Sequence, residues 1–276
     1  MNSKLIADSC CDMTKTLKKK LGLITIPLRM ILGDKEYVDT DDLDVGRFIT
    51  DMNAYKGKAG SSCPSPADYR DAFLGSGTSF AVTLSQNLSG SYASAMAGKA
   101  LAEEEGADVH VFDSKSASAG EILVALKIRE LIDMGKEKLE IIDRISKFIK
   151  EMKTYFVLEN VDNLVKNGRM SKIAGHIATI MQIRPLLGSD GDGNIALFSK
   201  ARGSRQALDK LADTVAESGK NTEGETMVIT HCNNPNGAAL LKNIIAERYR
   251  FAKIHIIPTG GLSSLYANNG GIIMAY

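Results

Sequence analysis

Hydroxyl groups gather at two places in this chain, Ser61-Ser62-Cys63-Pro64-Ser65-Pro66 and Ser85-Gln86-Asn87-Leu88-Ser89-Gly90-Ser91-Tyr92. Each segment follows a loop or strand signal and leads into a helical pattern. The spacing therefore predicts side-chain hydroxyls beside the unpaired N–H groups of a first helical turn, a setting that stabilises an anion. Neither segment contains Arg or Lys, so the donors are neutral, which suits a carboxylate better than a polyphosphate. A blander reading is open for each: Ser65 before Pro66 and Ser89 before an Ala-rich run are also good helix N-caps.

Two acids end strand-like runs nearby, Asp8 after Lys4–Ala7 and Asp113 after Asp108–Phe112. Beside Ser89, either would make a nucleophile–base pair for a phosphotransferase or hydrolase acting on a small carboxylate. Nothing in the spacing aims a base at Ser89, and both acids also fit as loop or cap residues. Other motifs fail. Asp190-Gly191-Asp192-Gly193-Asn194 opens like a calcium loop, but Ile195 stands where glycine is needed and Ala201 where the bidentate Glu belongs. A hairpin turn fits it better. The four histidines (His110, His176, His231, His255) are scattered and read as core or edge imidazoles, and no metal site is expected. Cys10, Cys11, Cys63 and Cys232 have no C-x-x-C spacing and read as reduced thiols of a cytoplasmic protein.

The elements that must position these residues follow an α/β pattern. Lys4–Ala7, Leu23–Leu28, Ser79–Leu84 and Asp108–Phe112 read as strands. Between and after them, Asp44–Asn53, Pro66–Leu74, Ser91–Glu105, Glu121–Met134 and Leu139–Met152 read as helices. Ile141, Ile145, Phe148, Ile149 and Met152 form one stripe of 3.6 period. Strands separated by helices imply a parallel sheet covered on both faces, a three-layer α/β/α unit over residues 1–152. From residue 153 to 276 the pattern changes. Arg184–Leu187 and Asn194–Phe198 flank the hairpin turn, among helices at Val161–Lys166, Ile173–Met181, Arg205–Glu217 and Ala238–Tyr249. The remaining strand signals lie at Tyr155–Leu158, Thr226–Thr230 and Lys253–Ile257, and the chain ends in Gly271–Tyr276. A hairpin within an α/β pattern predicts a second α/β domain with a mixed sheet.

Composition narrows the function classes. The 276 residues exceed one usual core, which favours two domains. A net charge of +1, no Trp and 6% aromatic residues argue against a nucleic-acid surface. The first eight residues lack the apolar stretch of a signal peptide, and no apolar run reaches the ~20 residues that span a bilayer. The expectation is a soluble, cytoplasmic protein.

The ordered set of motifs resembles the DegV family of fatty-acid-binding proteins. Ile6-Ala7-Asp8-Ser9 resembles that family's T-D-S strand, Ile26-Pro27-Leu28 with Tyr37 and Asp39 its P-L and Y-x-D segments, and Ser61 to Ser65 its T-S-Q-P-S. Ser85 to Ser91 resembles S-x-x-L-S-G-T, and Asn167-Gly168-Arg169-Met170-Ser171 resembles G-G-R-I-S. Ile183-Arg184-Pro185-Leu186-Leu187 matches its I-K-P segment and Arg202 its hairpin-to-helix arginine. The resemblance implies two α/β domains with a long-chain fatty acid buried between them. Its carboxylate would be held by Ser61 with Ser62, Ser89 with Gly90, and a histidine near the C-terminus. That histidine falls on Tyr266, and a phenol donates one hydrogen bond without the charge an imidazole can gain.

The tail lining is expected from Ile173–Met181 and Glu121–Met134, with Met170 and Met181 as adaptable fillers. Arg169 and Arg202 are expected at the domain junction or against a partner. The resemblance further implies a non-enzymatic carrier without cofactors. It would present the acid to a separate kinase of the dihydroxyacetone-kinase type, with no nucleic acid among its partners and with transient membrane contact compatible with that role. A regulatory module with a structural lipid is the third reading.

Overall fold

The computed structural model describes residues 3–170 and 183–276. The expected helix Ile173–Met181, with His176 and Met181, lies outside the described residues, as does Ser171. The first half runs β1 (Ser3–Asp8), α1 (Lys15–Leu21), β2 (Leu23–Ile26), β3 (Arg29–Leu32), β4 (Lys35–Val38), α2 (Val45–Ala54) and β5 (Gly60–Ser62). It continues with α3 (Pro66–Phe73), β6 (Thr78–Thr83), α4 (Ser91–Glu104), β7 (Asp108–Asp113), α5 (Ala119–Asp133) and α6 (Lys138–Glu151). The second half runs β8 (Thr154–Val157), α7 (Asp162–Lys166), β9 (Ile183–Ser189), β10 (Ile195–Arg202) and α8 (Gly203–Glu217). It ends with β11 (Thr226–His231), α9 (Pro235–Arg248), β12 (Lys253–Pro258), α10 (Gly261–Ala267) and β13 (Ile272–Ala275).

β1, β2, β6 and β7 form a parallel sheet in the order β2-β1-β6-β7. Leu5, Ile6 and Ala7 are wholly buried in succession because both faces of this sheet are covered. On one face Ile6, Ala81, Val109 and Val111 pack against Tyr69 and Phe73 of α3 and Ala95 and Ala102 of α4. On the other, Leu5, Ala7, Phe80 and Val82 pack against α5 and α6, where Ile141, Ile145 and Ile149 supply the expected stripe. α3 starts as its sequence dictates: Pro66 opens it, and Ser65 and Asp68 form a reciprocal capping box.

The second sheet is mixed, β10-β9-β8-β13-β11-β12, with only β11 and β12 parallel. α8 and α9 cover its outer face. Its inner face meets α5, which lies between the two sheets and shares one core with Val228 and Ala275. The expected boundary after residue 152 falls in the connection from α6 to β8. A third, antiparallel sheet, β4-β3-β5, escapes the sequence reading. Among the described residues no helix is long and apolar enough to cross a membrane.

Candidate functional site

The two serine motifs converge, although not both as helix starts. Ser61 lies on β5, paired in register with Met30 of β3, and Ser62 beside it is exposed. The expectation of helix N-terminal hydroxyls is therefore corrected for this motif: Ser61 lies within a short strand, and four residues separate it from the start of α3. Ser89 does sit at a helix start, where its half-buried Oγ accepts the Ser91 N–H at 3.2 Å. The exposed Gly90 faces the other motif, so closely that a Cβ there would lie 3.2 Å from Cys63 Sγ.

Tyr266 arrives at the same place from the last turn of α10. Its phenol oxygen lies 2.8 Å from Ser61 Oγ, and either atom can donate. The Arg169 guanidinium covers the Tyr266 ring at 4.9 Å from its centroid, while its Nε donates to the Leu88 carbonyl at 3.1 Å. Arg169 thus ties the turn before Ser89 to the ring of Tyr266. Arg202 is elsewhere, exposed at the start of α8, with its backbone N–H donating to Gln206.

Behind this polar cluster lies a cavity that is half open, its empty space together with the solvent at its mouth amounting to about 760 Å³. Leu88, Arg169 and Tyr266 belong to its lining, and the wall continues over Leu84, Phe156, Leu158, Leu164, Leu262 and Ile273. Its surface is almost wholly carbon, because the hydroxyls around it are paired among themselves: Ser116 Oγ lies 2.8 Å from Thr154 Oγ1, and Ser118 Oγ 2.7 Å from Thr230 Oγ1. The expected lining by Glu121–Met134 is wrong. The apolar faces of that helix, α5, are taken up by the two sheets that flank it. Met170 is buried in the same core as the cavity's Leu84, Leu158 and Leu164 but is not itself part of the wall.

The β9–β10 hairpin closes one side of the cavity, and the rest of the second motif serves as its dock. Ser85 Oγ donates to the Gly193 carbonyl at 2.8 Å and Asn87 Nδ2 to that of Asp192 at 2.8 Å. Lys115 Nζ pairs with Asp192 at 3.3 Å. Sequence reasoning identified the turn, where Gly191 and Gly193 take φ of +96° and +90°, but nothing in it signalled the partner.

The acids proposed as bases for Ser89 are engaged elsewhere. Asp8 is fully buried and accepts from Ser91 Oγ at 2.5 Å and from the N–H groups of Leu84 and Cys10, each at 3.1 Å. Desolvation outweighs those bonds and pushes its carboxyl up to about 6. Asp113 accepts from Gln86 N–H at 3.2 Å and Lys115 N–H at 3.0 Å. Both acids shape the loops that carry the hydroxyls, and neither bonds to Ser89, so the nucleophile–base reading is unsupported.

Asp8, Cys10 and Glu121 bring potential metal-ligating atoms within 4.8 Å of one another, all buried. Burial first, then the charges of Asp8 and Asp12, raises Glu121 well above the usual carboxylate range. No well-formed hydrogen bond reaches either Glu121 oxygen among the described residues, although its closeness to Asp8 raises it further. A neutral acid is the form this environment favours.

The comparisons with known proteins agree with this architecture. Residues 2–275 match the family model described as "Uncharacterised protein, DegV family". A DegV domain-containing protein of Streptococcus pneumoniae (strain ATCC BAA-255 / R6) is 36% identical over 280 residues, covering 100% of this chain and 99% of the relative. The crystal structure of a DegV family protein from Ruminococcus gnavus with vaccenic acid superposes with a TM-score of 0.95 at 38% identity, covering 99% of each chain. The Streptococcus pneumoniae Fatty Acid Kinase B3 protein loaded with linoleic acid gives a TM-score of 0.93 at 35% identity, covering 100% of this chain and 99% of the other. With a family match along nearly its whole length and a relative 36% identical over 280 residues, this chain belongs to the DegV family.

Proposed function

We propose that this protein binds a long-chain fatty acid in the cavity, with the carboxylate at Ser61, Ser89 and Tyr266, and presents it to a separate kinase. One observation carries the reading: an apolar cavity bordered at one edge by Tyr266, whose phenol meets Ser61, and by the Arg169 guanidinium. That shape and polarity suit a ligand with one small anionic head and a long alkyl tail. The solved relatives carrying vaccenic and linoleic acids support the ligand class.

Burying about fourteen methylenes at ~0.8 kcal/mol each offers on the order of 11 kcal/mol before association costs. Hydrogen bonds to the head group add about 1 kcal/mol each, more when the acceptor is charged. The tail sets affinity and the hydroxyls set which end faces out. Ser62 and Gly90, both exposed beside those hydroxyls, keep the head group near the surface. A head group held there can reach a kinase while the tail stays covered. The kinase role itself is supported by the likeness to the pneumococcal fatty acid kinase B3 protein. In this reading the chain is a carrier without a cofactor of its own.

Native mass spectrometry with lipid extraction tests the proposal. A stoichiometric long-chain fatty acid in the purified protein is the expected result. An empty protein that turns over an acyl or phosphoryl substrate by itself would overturn it.

A further inference from the structure

α10, which delivers Tyr266, is a seven-residue helix. A helix of that length is unstable alone, so its orientation must come from what grips it. The grip is at its first turn and comes from acids of the N-terminal half. Asp39 Oδ1 accepts the Gly261 N–H at 2.8 Å, and Oδ2 accepts both the Leu262 N–H at 3.0 Å and the Ser9 hydroxyl at 2.8 Å. Asp12 Oδ1 accepts the Gly260 N–H at 2.8 Å, and its Oδ2 the Ser118 hydroxyl at 2.5 Å. Three consecutive N–H groups that a helix leaves unpaired are thus satisfied by two carboxylates from across the junction.

Both acids are buried. The sequence around them is made for this contact: a Cβ on Gly261 would collide with Met30 and Leu43 and stand 2.8 Å from Asp39 Oδ1, and one on Gly260 would stand 3.0 Å from Asp12 Oδ1. The other end of α10 is held by Asn163 Nδ2, which donates to the Leu265 carbonyl at 2.8 Å, and by the contact of Tyr266 with Ser61.

We propose that Asp39 and Asp12 are positioning residues for ligand binding, whose carboxylates fix the first turn of α10 and so set the Tyr266 hydroxyl against Ser61. The assignment rests on the fatty-acid reading above for its effect on affinity, and on the clamp geometry for its effect on α10. Replacing Asp39 by Asn turns one acceptor oxygen into a donor NH₂ that must face an N–H or the Ser9 hydroxyl, so at least one bond of the clamp is lost. The consequence for the ligand should pass chiefly through Tyr266, with a smaller part through Leu262 of the cavity wall.

A double-mutant cycle tests this. Affinity for cis-parinaric acid is measured for the parent, Asp39→Asn, Tyr266→Phe and the double variant, and amide exchange of α10 is followed in the ligand-free proteins. Asp39→Asn should weaken binding about fivefold in the parent and less than about twofold in the Tyr266→Phe background. Exchange at Gly261 and Leu262 should accelerate. An equal loss in both backgrounds, or unchanged exchange along α10, would overturn the assignment. A parent that binds no fatty acid would instead remove the functional reading, and the exchange result would still decide the clamp. If Asp39→Asn does not fold, Asp12→Asn carries the same cycle.

Discussion

Ser61 Oγ and Tyr266 Oη lie 2.8 Å apart, although 205 residues separate them in the chain. One comes from the edge of the small antiparallel sheet and the other from the last turn of a helix in the C-terminal half. Where many relatives are expected to carry an imidazole, this chain pairs two neutral hydroxyls under the charge of Arg169.

Removing the two serine hydroxyls is the most direct test of the head-group site. Ser61→Ala with Ser89→Ala should weaken fatty-acid binding by more than about tenfold, because two donors vanish beside a desolvated carboxylate. Stability without ligand should fall by only ~1–2 kcal/mol, the scale of the lost bond from Ser89 to the Ser91 N–H and of the Tyr266 partner. Displacement of a fluorescent fatty acid and thermal melts read the two effects separately. Unchanged affinity would move the carboxylate elsewhere.

Tyr266 predicts a particular response to pH. Tyr266→Phe should cost ~1 kcal/mol of binding. Tyr266→His should add a group that titrates near the usual pKa of about 6.5, so that affinity rises as pH falls from about 8 toward 6 and the imidazole becomes cationic. Titrations of both variants across that range check it, and a flat profile for the His variant would place residue 266 off the carboxylate.

The two arginines separate by location. Arg169 is half-buried against Tyr266, so Arg169→Glu should abolish tight fatty-acid binding by placing a carboxylate beside the ligand's own. Arg202 is exposed and does not line the cavity. Arg202→Glu should leave binding intact and reduce acyl-phosphate formation with a cognate kinase. Equal effects of the two changes on binding would contradict this division.

The buried acids make stability fall as pH rises. Asp8 is pushed up to about 6 and Asp12 to about 7, chiefly by desolvation, and Asp39 and Glu121 are raised for the same reason. In the unfolded chain these groups ionise near 4. Between about 4 and 7 the folded state therefore holds protons that the unfolded state lacks, and stability drops across that window. Urea unfolding midpoints should decline from pH 5 to pH 8. Glu121→Gln keeps the shape without a proton to lose, and should raise stability at pH 8. A loss instead would mean that Glu121 is charged and paired.

The hairpin should govern release more than affinity. Gly193→Ala places a Cβ against Ser85 Oγ and 3.0 Å from Lys115 Cα, at a φ of +90° that strains any other residue. The hairpin tip must then lift from Ser85 and Asn87. Stopped-flow release of a fluorescent fatty acid should accelerate severalfold, and an unchanged rate would show that the acid leaves by another route.

What the sequence revealed and what it concealed divides along physical lines. β1 and β6 carry continuous apolar runs because both faces of their sheet are covered, and α6 shows a clean stripe because one face meets solvent. The serine motifs were legible by composition. β5 was not, since Gly60-Ser61-Ser62 has neither bulk nor alternation, and it is a strand only through its pairing with β3. α10 was also missed: Gly261 to Leu265 are buried on every side, which erases the amphipathic period. The clamp of Asp39 and Asp12 was hidden for a third reason. Its partners are backbone N–H groups, which leave no mark on residue identity beyond two glycines.

The place of α5 between the sheets has a consequence for how the ligand enters. Separating the halves like a clamshell would strip Val228 and Ala275 from a helix packed against Leu5 and Val82, opening the largest shared core to water. Exchange of the proposed fatty acid is therefore expected through local openings at the rim while the halves stay joined. The same continuity couples the halves: severed after residue 152, the C-terminal piece would lose the cover that α5 gives its inner face, and heating the intact protein should give a single transition.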